Sequence, residues 1–159
     1  PSILLLCMAG ANNLVYNGFI ALLLIFVISP FTDTMAYFTG MAYNKIKKGN
    51  AKKLCPKLSP KKTQAGAIGG ILGGAIGGIL VYIVFKPEIS IGLPFIVFAV
   101  IGLVASVLTQ VGDLFESFIK RRVGLKDMGK IMPGHGGVMD RIDGITFASL
   151  FIYIVFLVI

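Results

Sequence analysis

Residues 112–143 read GDLFESFIKRRVGLKDMGKIMPGHGGVMDRID, with a long apolar run on either side. Five of the seven acidic residues of the chain and its single histidine fall within this stretch. A charged side chain next to a membrane-length apolar helix carries a large desolvation penalty unless it has a partner or a function. The stretch therefore predicts a functional polar site at one end of a set of apolar helices.

The composition indicates an integral membrane protein. The chain has 159 residues, of which 56% are hydrophobic, and a mean hydropathy of +0.89, which is more apolar than a soluble domain of this size needs. Apolar runs at 18–38, 63–85, 93–119 and 140–159 are long enough to cross a bilayer, which takes roughly twenty residues. We expect an all-α polytopic transmembrane helical bundle of about four to five helices, forming a single catalytic domain over residues 1–159.

The charge distribution predicts the topology. The net charge is +8, and most cations lie in two segments, 41–62 and 120–141. Two spans joined by the nearly neutral turn 86–92 separate these segments, so both segments fall on the same side, which the positive-inside rule assigns to the cytoplasm. Because they lack interleaved aromatic residues and lie between hydrophobic spans, the basic segments argue against nucleic-acid binding. The two cysteines, Cys7 and Cys55, form neither a disulfide framework nor a zinc motif.

One acid lies inside the first span. Asp33 follows Pro30, which is expected to kink the helix. An ionisable residue in a membrane helix is a functional-site hypothesis by default. The alternative is that Asp33 caps or satisfies the backbone at the kink.

The second span begins with a helix-start signal. Ser59 is the predicted N-cap and Pro60 the first helical residue. Lys61 and Lys62 would then lie in the first turn, where cations oppose the helix dipole and where a bound anion would compensate for them. The alternative is that both lysines extend to the membrane interface.

Glycines recur along the second span at two interleaved four-residue spacings. This pattern is typical of close helix–helix contact in a membrane, and it does not match a phosphate-binding loop. The two rows are Gly66, Gly70, Gly74 and Gly78, and Gly69, Gly73 and Gly77.

The acids of residues 112–143 predict a metal site. Asp113 ends the third span, whereas Asp140 and Asp143 begin the last one, one helical turn apart. Carboxylates from two helices repel one another unless a cation lies between them, and Mg²⁺ prefers such hard oxygen ligands and shares them with substrate phosphates. The alternative is a set of salt bridges from Asp140 or Asp143 to Arg141 or Lys120.

The single histidine lies in a glycine-rich loop. His135 is surrounded by Gly134, Gly136 and Gly137, which permit a tight turn and close approach of a ligand. His135 could contact a phosphate or accept a proton near neutral pH, or it could belong to an ordinary turn. With one histidine there is no evident nucleophile–base–orienter set.

Four segments together resemble a known family. Residues 32–40 read TDTMAYFTG, residues 56–63 read PKLSPKKT and residues 112–117 read GDLFES. Residues 117–143 follow S-x2-K-R-x4-K-D-x-G-x3-P-x-H-G-G-x2-D-R-x-D. In this combination the chain resembles the phosphatidate cytidylyltransferases, or CDP-diacylglycerol synthases, over roughly residues 18–159, which correspond to the C-terminal part of the family's usual chain.

The resemblance implies that CTP and phosphatidate react to give CDP-diacylglycerol and pyrophosphate. The expected cofactor is Mg²⁺, with a second cation such as K⁺ allowed. The expected partners are CTP, phosphatidate and membrane lipid, and a homodimer is allowed. The expected location is the cell inner membrane, with the active site facing the cytoplasm.

Residue roles carry over by position. The metal ligands implied are Asp113 and Asp143, with Asp140 in support. The remaining catalytic candidates are Lys126 and His135. The implied nucleotide- or lipid-binding residues are Asp33, Ser59, Lys61, Lys62, Thr63 and Arg141. Ala65 departs from the family pattern, which has an acidic or amide residue there, and about six extra residues near 48–53 lengthen the basic segment, which loops tolerate.

Three other functions remain open at this point. The first is a CTP-dependent transferase that acts on another lipid phosphate. The second is a cation transporter that uses intramembrane aspartates, and the third is an inactive packing subunit. The two lysines next to a predicted helix start argue against transport.

Overall fold

The computed structural model describes residues 13–56, 58–85, 94–122, 124 and 139–158, with only the backbone described at 13–17 and 139–143. Predictions for residues 1–12, 86–93 and 125–138 lie outside this part of the chain. The elements are α1 (Asn13–Ile46), β1 (Lys53–Cys55), β2 (Ser59–Thr63), α2 (Gln64–Phe85), α3 (Phe95–Arg122) and α4 (Met139–Val158).

The all-α polytopic prediction is confirmed. Three helical stretches, Gly18–Ile46, Gln64–Phe85 and Phe95–Arg122, are long and apolar enough to cross a membrane. α4 adds a shorter apolar stretch, Gly144–Val158. Each helix packs on the next in sequence, and α4 also contacts α1. The chain is an integral membrane protein built as a helical bundle.

The glycine rows of α2 bring its neighbours to backbone distance, as predicted. A Cβ atom built on Gly73 would lie 2.6 Å from Cβ of Met35 in α1, and one built on Gly66 would lie 2.7 Å from the carbonyl oxygen of Ala36. On the other side, Gly74 meets Gly102 of α3, where neither glycine has room for a side chain. α2 is therefore held between α1 and α3 by contacts that exclude larger residues.

Large apolar side chains of α2 point the other way. Ile68, Leu72 and Ile76 are 62%, 56% and 44% exposed, whereas the glycines of both rows are buried. This arrangement is expected where lipid surrounds the bundle, because lipid solvates apolar side chains and small residues permit close helix contact. The buried core lies deeper, around Leu24 of α1 and Phe98 of α3.

α1 is longer than predicted at both ends. It begins at Asn13, five residues before the apolar run 18–38, and it continues to Ile46, within the basic segment 41–62. Asparagine costs a helix less than about 0.7 kcal/mol relative to alanine, which is small beside the burial of the face from Ile20 to Ile28. The helix ends in a turn in which Gly49 has φ +88°.

The predicted start of α2 is wrong by four residues. Ser59 is not an N-cap, because residues 59–63 form a strand that pairs antiparallel with β1. Proline tolerates an extended edge strand, and Pro60 lies where the register between the strands is irregular. The N-cap is Thr63, whose Oγ1 accepts a hydrogen bond of 3.0 Å from the amide of Gly66.

Candidate functional site

A cavity of about 340 Å³ opens at the end of the bundle where the β1–β2 ribbon lies. It is bounded by the second half of α1, the ribbon, the first turn of α2 and one residue of α3. The lining residues are Asp33, Ala36, Tyr37, Gly40, Met41, Asn44, Lys53, Leu54, Lys61, Lys62, Thr63, Gly66, Ala67 and Gln110.

Cations outnumber acids in the cavity wall. Lys53, Lys61 and Lys62 line it, whereas Asp33 is the one acid among the described lining residues. Asn44 adds a buried Oδ1 atom that has no hydrogen-bond donor within the described part of the chain. The cavity therefore suits a ligand that is anionic overall and carries a polar hydrogen-bonding portion.

An ion pair connects the ribbon to α3 beside the cavity. The ammonium Nζ of Lys62 donates to Oδ2 of Asp113, across a sequence separation of 51 residues. The two side chains are 30% and 38% exposed. This contact joins two groups that the sequence assigned to separate ligands, phosphate for Lys62 and metal for Asp113.

The strand geometry of β2 separates the two adjacent lysines. Successive side chains of a strand point to opposite faces. Lys62 is partly buried and reaches Asp113, whereas Lys61 is exposed and forms no ion pair with any described residue. Both lysines line the cavity, but only Lys62 is paired with Asp113.

The amide N–H groups at the start of α2 are largely satisfied by the protein. The amide of Gln64 donates to the carbonyl oxygen of Lys52 at 3.0 Å, and that of Gly66 donates to Thr63. The predicted binding of an anion at a free helix N-terminus is therefore weakened, because two of the first three donors already have acceptors. The cationic side chains of the ribbon remain as the candidate anion-binding groups.

α3 carries polar side chains along one line. Gln110 lines the cavity and donates from Nε2 to the carbonyl oxygen of Ala67 at 3.1 Å. Asp113 follows one turn later. Glu116 and Lys120 form a further ion pair of 3.0 Å, with only 10% and 12% of their side chains exposed. These side chains therefore lie along one side of α3, and their charges divide into an outer pair with β2 and an inner pair within the helix.

The contact between α3 and α4 brings the predicted metal ligands to the same end of the bundle. A Cβ atom on Gly144 would lie 2.8 Å from Cγ2 and 3.6 Å from Cα of Thr109. Asp143 precedes Gly144 directly, and Asp113 follows Thr109 by one helical turn. The Cα atoms of residues 113 and 143 therefore lie within roughly 15 Å of each other.

The structure places the predicted site residues in three groups. Asp33, Lys61, Lys62 and Thr63 line the cavity, and Asp113 adjoins it through Lys62. Ser59 lies in β2, outside the lining set. Asp140, Arg141 and Asp143 lie in the first turns of α4 by their backbone, whereas Lys126 and His135 lie outside the described residues.

Sequence reasoning missed several lining residues. Asn44 and Lys53 carry no motif that distinguishes them from neighbouring side chains, whereas Tyr37 lies within the TDTMAYFTG segment, 32–40, but was not singled out as a site residue. Gln110 could have been found, because it precedes Asp113 by three residues and extends the same helical line. Asp33 does not cap a helix end, since α1 continues through it without interruption; that it satisfies the backbone at the Pro30 kink stays a prediction.

Comparisons with known proteins agree with the motifs. A model described as the cytidylyltransferase family matches residues 2–159. A protein of Brucella abortus named phosphatidate cytidylyltransferase is 40% identical over 137 residues, which cover 86% of this chain and 47% of that protein. Proteins of the same name from Haemophilus influenzae and Thermotoga maritima are 39% and 36% identical, over 91% and 78% of this chain and 48% and 44% of theirs. The chain spans about half the length of the curated relatives it matches.

Proposed function

Because the chain belongs to the cytidylyltransferase family, we propose that it transfers the cytidylyl group of CTP to phosphatidate. A phosphate oxygen of phosphatidate forms a bond to the α-phosphorus of CTP. The bond between the α-phosphorus and the oxygen that bridges to the β-phosphate breaks, and pyrophosphate leaves with that electron pair. The products are CDP-diacylglycerol and pyrophosphate.

The single observation that carries this proposal is the cavity beside the Lys62–Asp113 pair. Three lysines and one aspartate line it at the end of membrane-spanning helices. A triphosphate needs cations, and a lipid phosphate must be reached from the edge of a bilayer. A cationic cavity in this position meets both requirements.

The residues of the chain have separate roles in this proposal. Lys61 and Lys62 neutralise the triphosphate, and Lys53 adds a third positive charge. Asn44 offers its unused Oδ1 acceptor to an amino group of the nucleotide. Asp33, at the α1 side of the cavity, limits how far the anion extends toward the membrane interior.

We also propose Mg²⁺ as the cofactor, held by Asp113, Asp140 and Asp143. The residues fit a cation, because Asp113 already attracts the ammonium of Lys62. Within the described side chains there is no cluster of three metal-binding groups, so the site depends on the two acids of α4. When bound, Mg²⁺ would polarise a phosphoryl oxygen and orient the leaving group.

The cavity end of the bundle is proposed to face the cytoplasm. The lysines of the ribbon and the three cations at the end of α3, Lys120 to Arg122, lie at this end. An excess of lysine and arginine is typical of cytoplasmic segments. CTP is a soluble nucleotide, so this orientation also gives it access to the site.

The test is turnover and binding by the purified chain in lipid nanodiscs. CTP labelled at the α-phosphate is supplied with phosphatidate, with Mg²⁺ or with EDTA, and labelled lipid is measured. Lys52→Met is the matched control for variants of the lining lysines, because Lys52 is an exposed lysine of the same segment that does not line the cavity. Labelled lipid that requires both Mg²⁺ and phosphatidate supports the proposal.

Two other results would support a different function. Product formed only with a different lipid phosphate, such as an ether-linked one, would identify another CTP-dependent transferase. No CTP binding at millimolar nucleotide with Mg²⁺, together with cation flux into liposomes, would refute the transferase and support a transporter.

A further inference from the structure

The ion pair between Lys62 and Asp113 connects the proposed phosphate group to the proposed metal ligand. Lys62 also lines the cavity, so the same side chain contacts both the carboxylate and the space where an anion would bind. The lysine side chain is long and has rotatable bonds throughout. A small rotation could therefore exchange the carboxylate for a phosphate oxygen.

Lys62 and a divalent cation compete for Asp113. Two cations at one carboxylate repel each other at the distances of an ion pair, and burial weakens the screening of that repulsion. Both partners are about two-thirds buried. A metal can therefore gain full use of Asp113 only when Lys62 withdraws.

We propose that Lys62 is a resident counter-ion that neutralises and positions Asp113 until metal and nucleotide arrive together. This inference rests on the proposed function. Asp113 would then hold the metal, and Lys62 would move to the phosphate chain of the nucleotide. One cation would replace another at Asp113, so this partly buried carboxylate would not be left uncompensated.

The exchange makes metal binding and nucleotide binding depend on each other. Metal alone must displace Lys62 from Asp113 without bringing the ammonium a new anion in return. Metal with a triphosphate offers Lys62 a new partner at the same time. The two ligands should therefore bind with positive coupling, and by linkage each should raise the affinity of the other by the same factor.

The test measures divalent-metal affinity without nucleotide, by titration calorimetry with Mg²⁺ and by electron paramagnetic resonance with Mn²⁺. In nanodiscs, Lys62→Met should bind metal about two- to fivefold more tightly than the natural chain, the range expected for removal of a partly exposed ion pair. Lys62→Gln is a second variant in case the methionine disturbs folding. Lys62→Arg keeps the charge and should bind metal as the natural chain does.

Lys61→Met is the matched control, because it removes one positive charge from the neighbouring residue of the same strand without breaking the pair. It should change the metal affinity less than Lys62→Met does. With CTP present, the factor by which nucleotide tightens metal binding should fall in Lys62→Met. The inference is overturned if Lys62→Met and Lys62→Gln leave the metal affinity unchanged or weaken it.

This failure is distinct from failure of the proposed function. If the natural chain binds CTP and metal but the Lys62 variants show no tightening, only the counter-ion role is wrong. If Asp113→Asn retains the metal affinity of the natural chain, the metal assignment itself is wrong, and the counter-ion role falls with it.

Discussion

Replacing Gly74 by alanine is expected to separate α2 from α3. The added Cβ would lie 2.7 Å from the carbonyl oxygen of Gly102 and 2.8 Å from Oγ of Ser106, whereas ordinary contacts begin near 3.5 Å. Overpacking of this kind costs about 1–3 kcal/mol, and the better helix propensity of alanine offsets about 1 kcal/mol. A net loss of up to about 2 kcal/mol should lower the melting temperature by up to about 8 °C.

Gly77→Ala is the matched control for this prediction. It makes the same substitution in the same helix, but its nearest neighbours would be Cα of Ile28 at 3.3 Å and Cβ of Phe31 at 3.4 Å. Little movement is needed there, so the melting temperature should stay level or rise by about 2–4 °C. Because the chain has no tryptophan, circular dichroism at 222 nm in one detergent is the readout. An equal or larger loss in Gly77→Ala would refute the packing argument.

Three further outcomes are expected. Asp113→Asn should lower CTP-dependent turnover about 100-fold or more while the helical content is unchanged; activity within twofold of the natural chain would exclude it as a metal ligand. Lys120→Met should lower the melting temperature by several degrees, because the buried Glu116 loses an ion pair worth roughly 2–3 kcal/mol. Arg121→Met, at an exposed position, should leave the melting temperature unchanged, and equal melting temperatures for the two variants would contradict the prediction. In a variant whose other cysteine is serine, a membrane-impermeant maleimide should label Cys55 in inside-out vesicles and not in right-side-out ones; the reverse pattern would reverse the topology.

The apolar architecture is predictable because it depends on length and composition. Spans of roughly twenty apolar residues are helices in a bilayer, since only a helix or a closed barrel satisfies the backbone there. The glycine rows of α2 predicted close helix packing, because small residues at a four-residue spacing let neighbouring helices approach. What each row contacts could not be predicted, because the pattern does not say whether α1 or α3 lies on a given side.

The ribbon was not predictable from local signals. Ser59-Pro60 is a sound helix-start pattern, but Thr63 provides a second N-cap four residues after the first. Which cap is used depends on whether the preceding residues find a partner strand, and β1 supplies it from within a segment that looked like a basic loop. Pairing between strands is a tertiary property, so propensity alone could not decide between the two starts.

The pairing of Lys62 with Asp113 was equally beyond sequence reasoning. Each residue was assigned a ligand by its chemistry, and the assignments were treated as independent. Only the fold shows that the two side chains meet across 51 residues. A lysine that binds a phosphate and an aspartate that binds the accompanying metal carry opposite charges, so they attract each other when neither ligand is bound. An ion pair between two such residues therefore competes with the ligands that the same residues bind together.

The glycine rows and the polar site depend on each other. Gly66 and Gly70 let α1 and α3 approach α2 closely, and at that separation Gln110 reaches the carbonyl oxygen of Ala67. Larger residues in these rows would increase the separation of the helices and lengthen or break this contact. The close packing of apolar helices is therefore what allows short polar side chains from different helices, Asp33 and Gln110 among them, to line one cavity at the edge of the membrane.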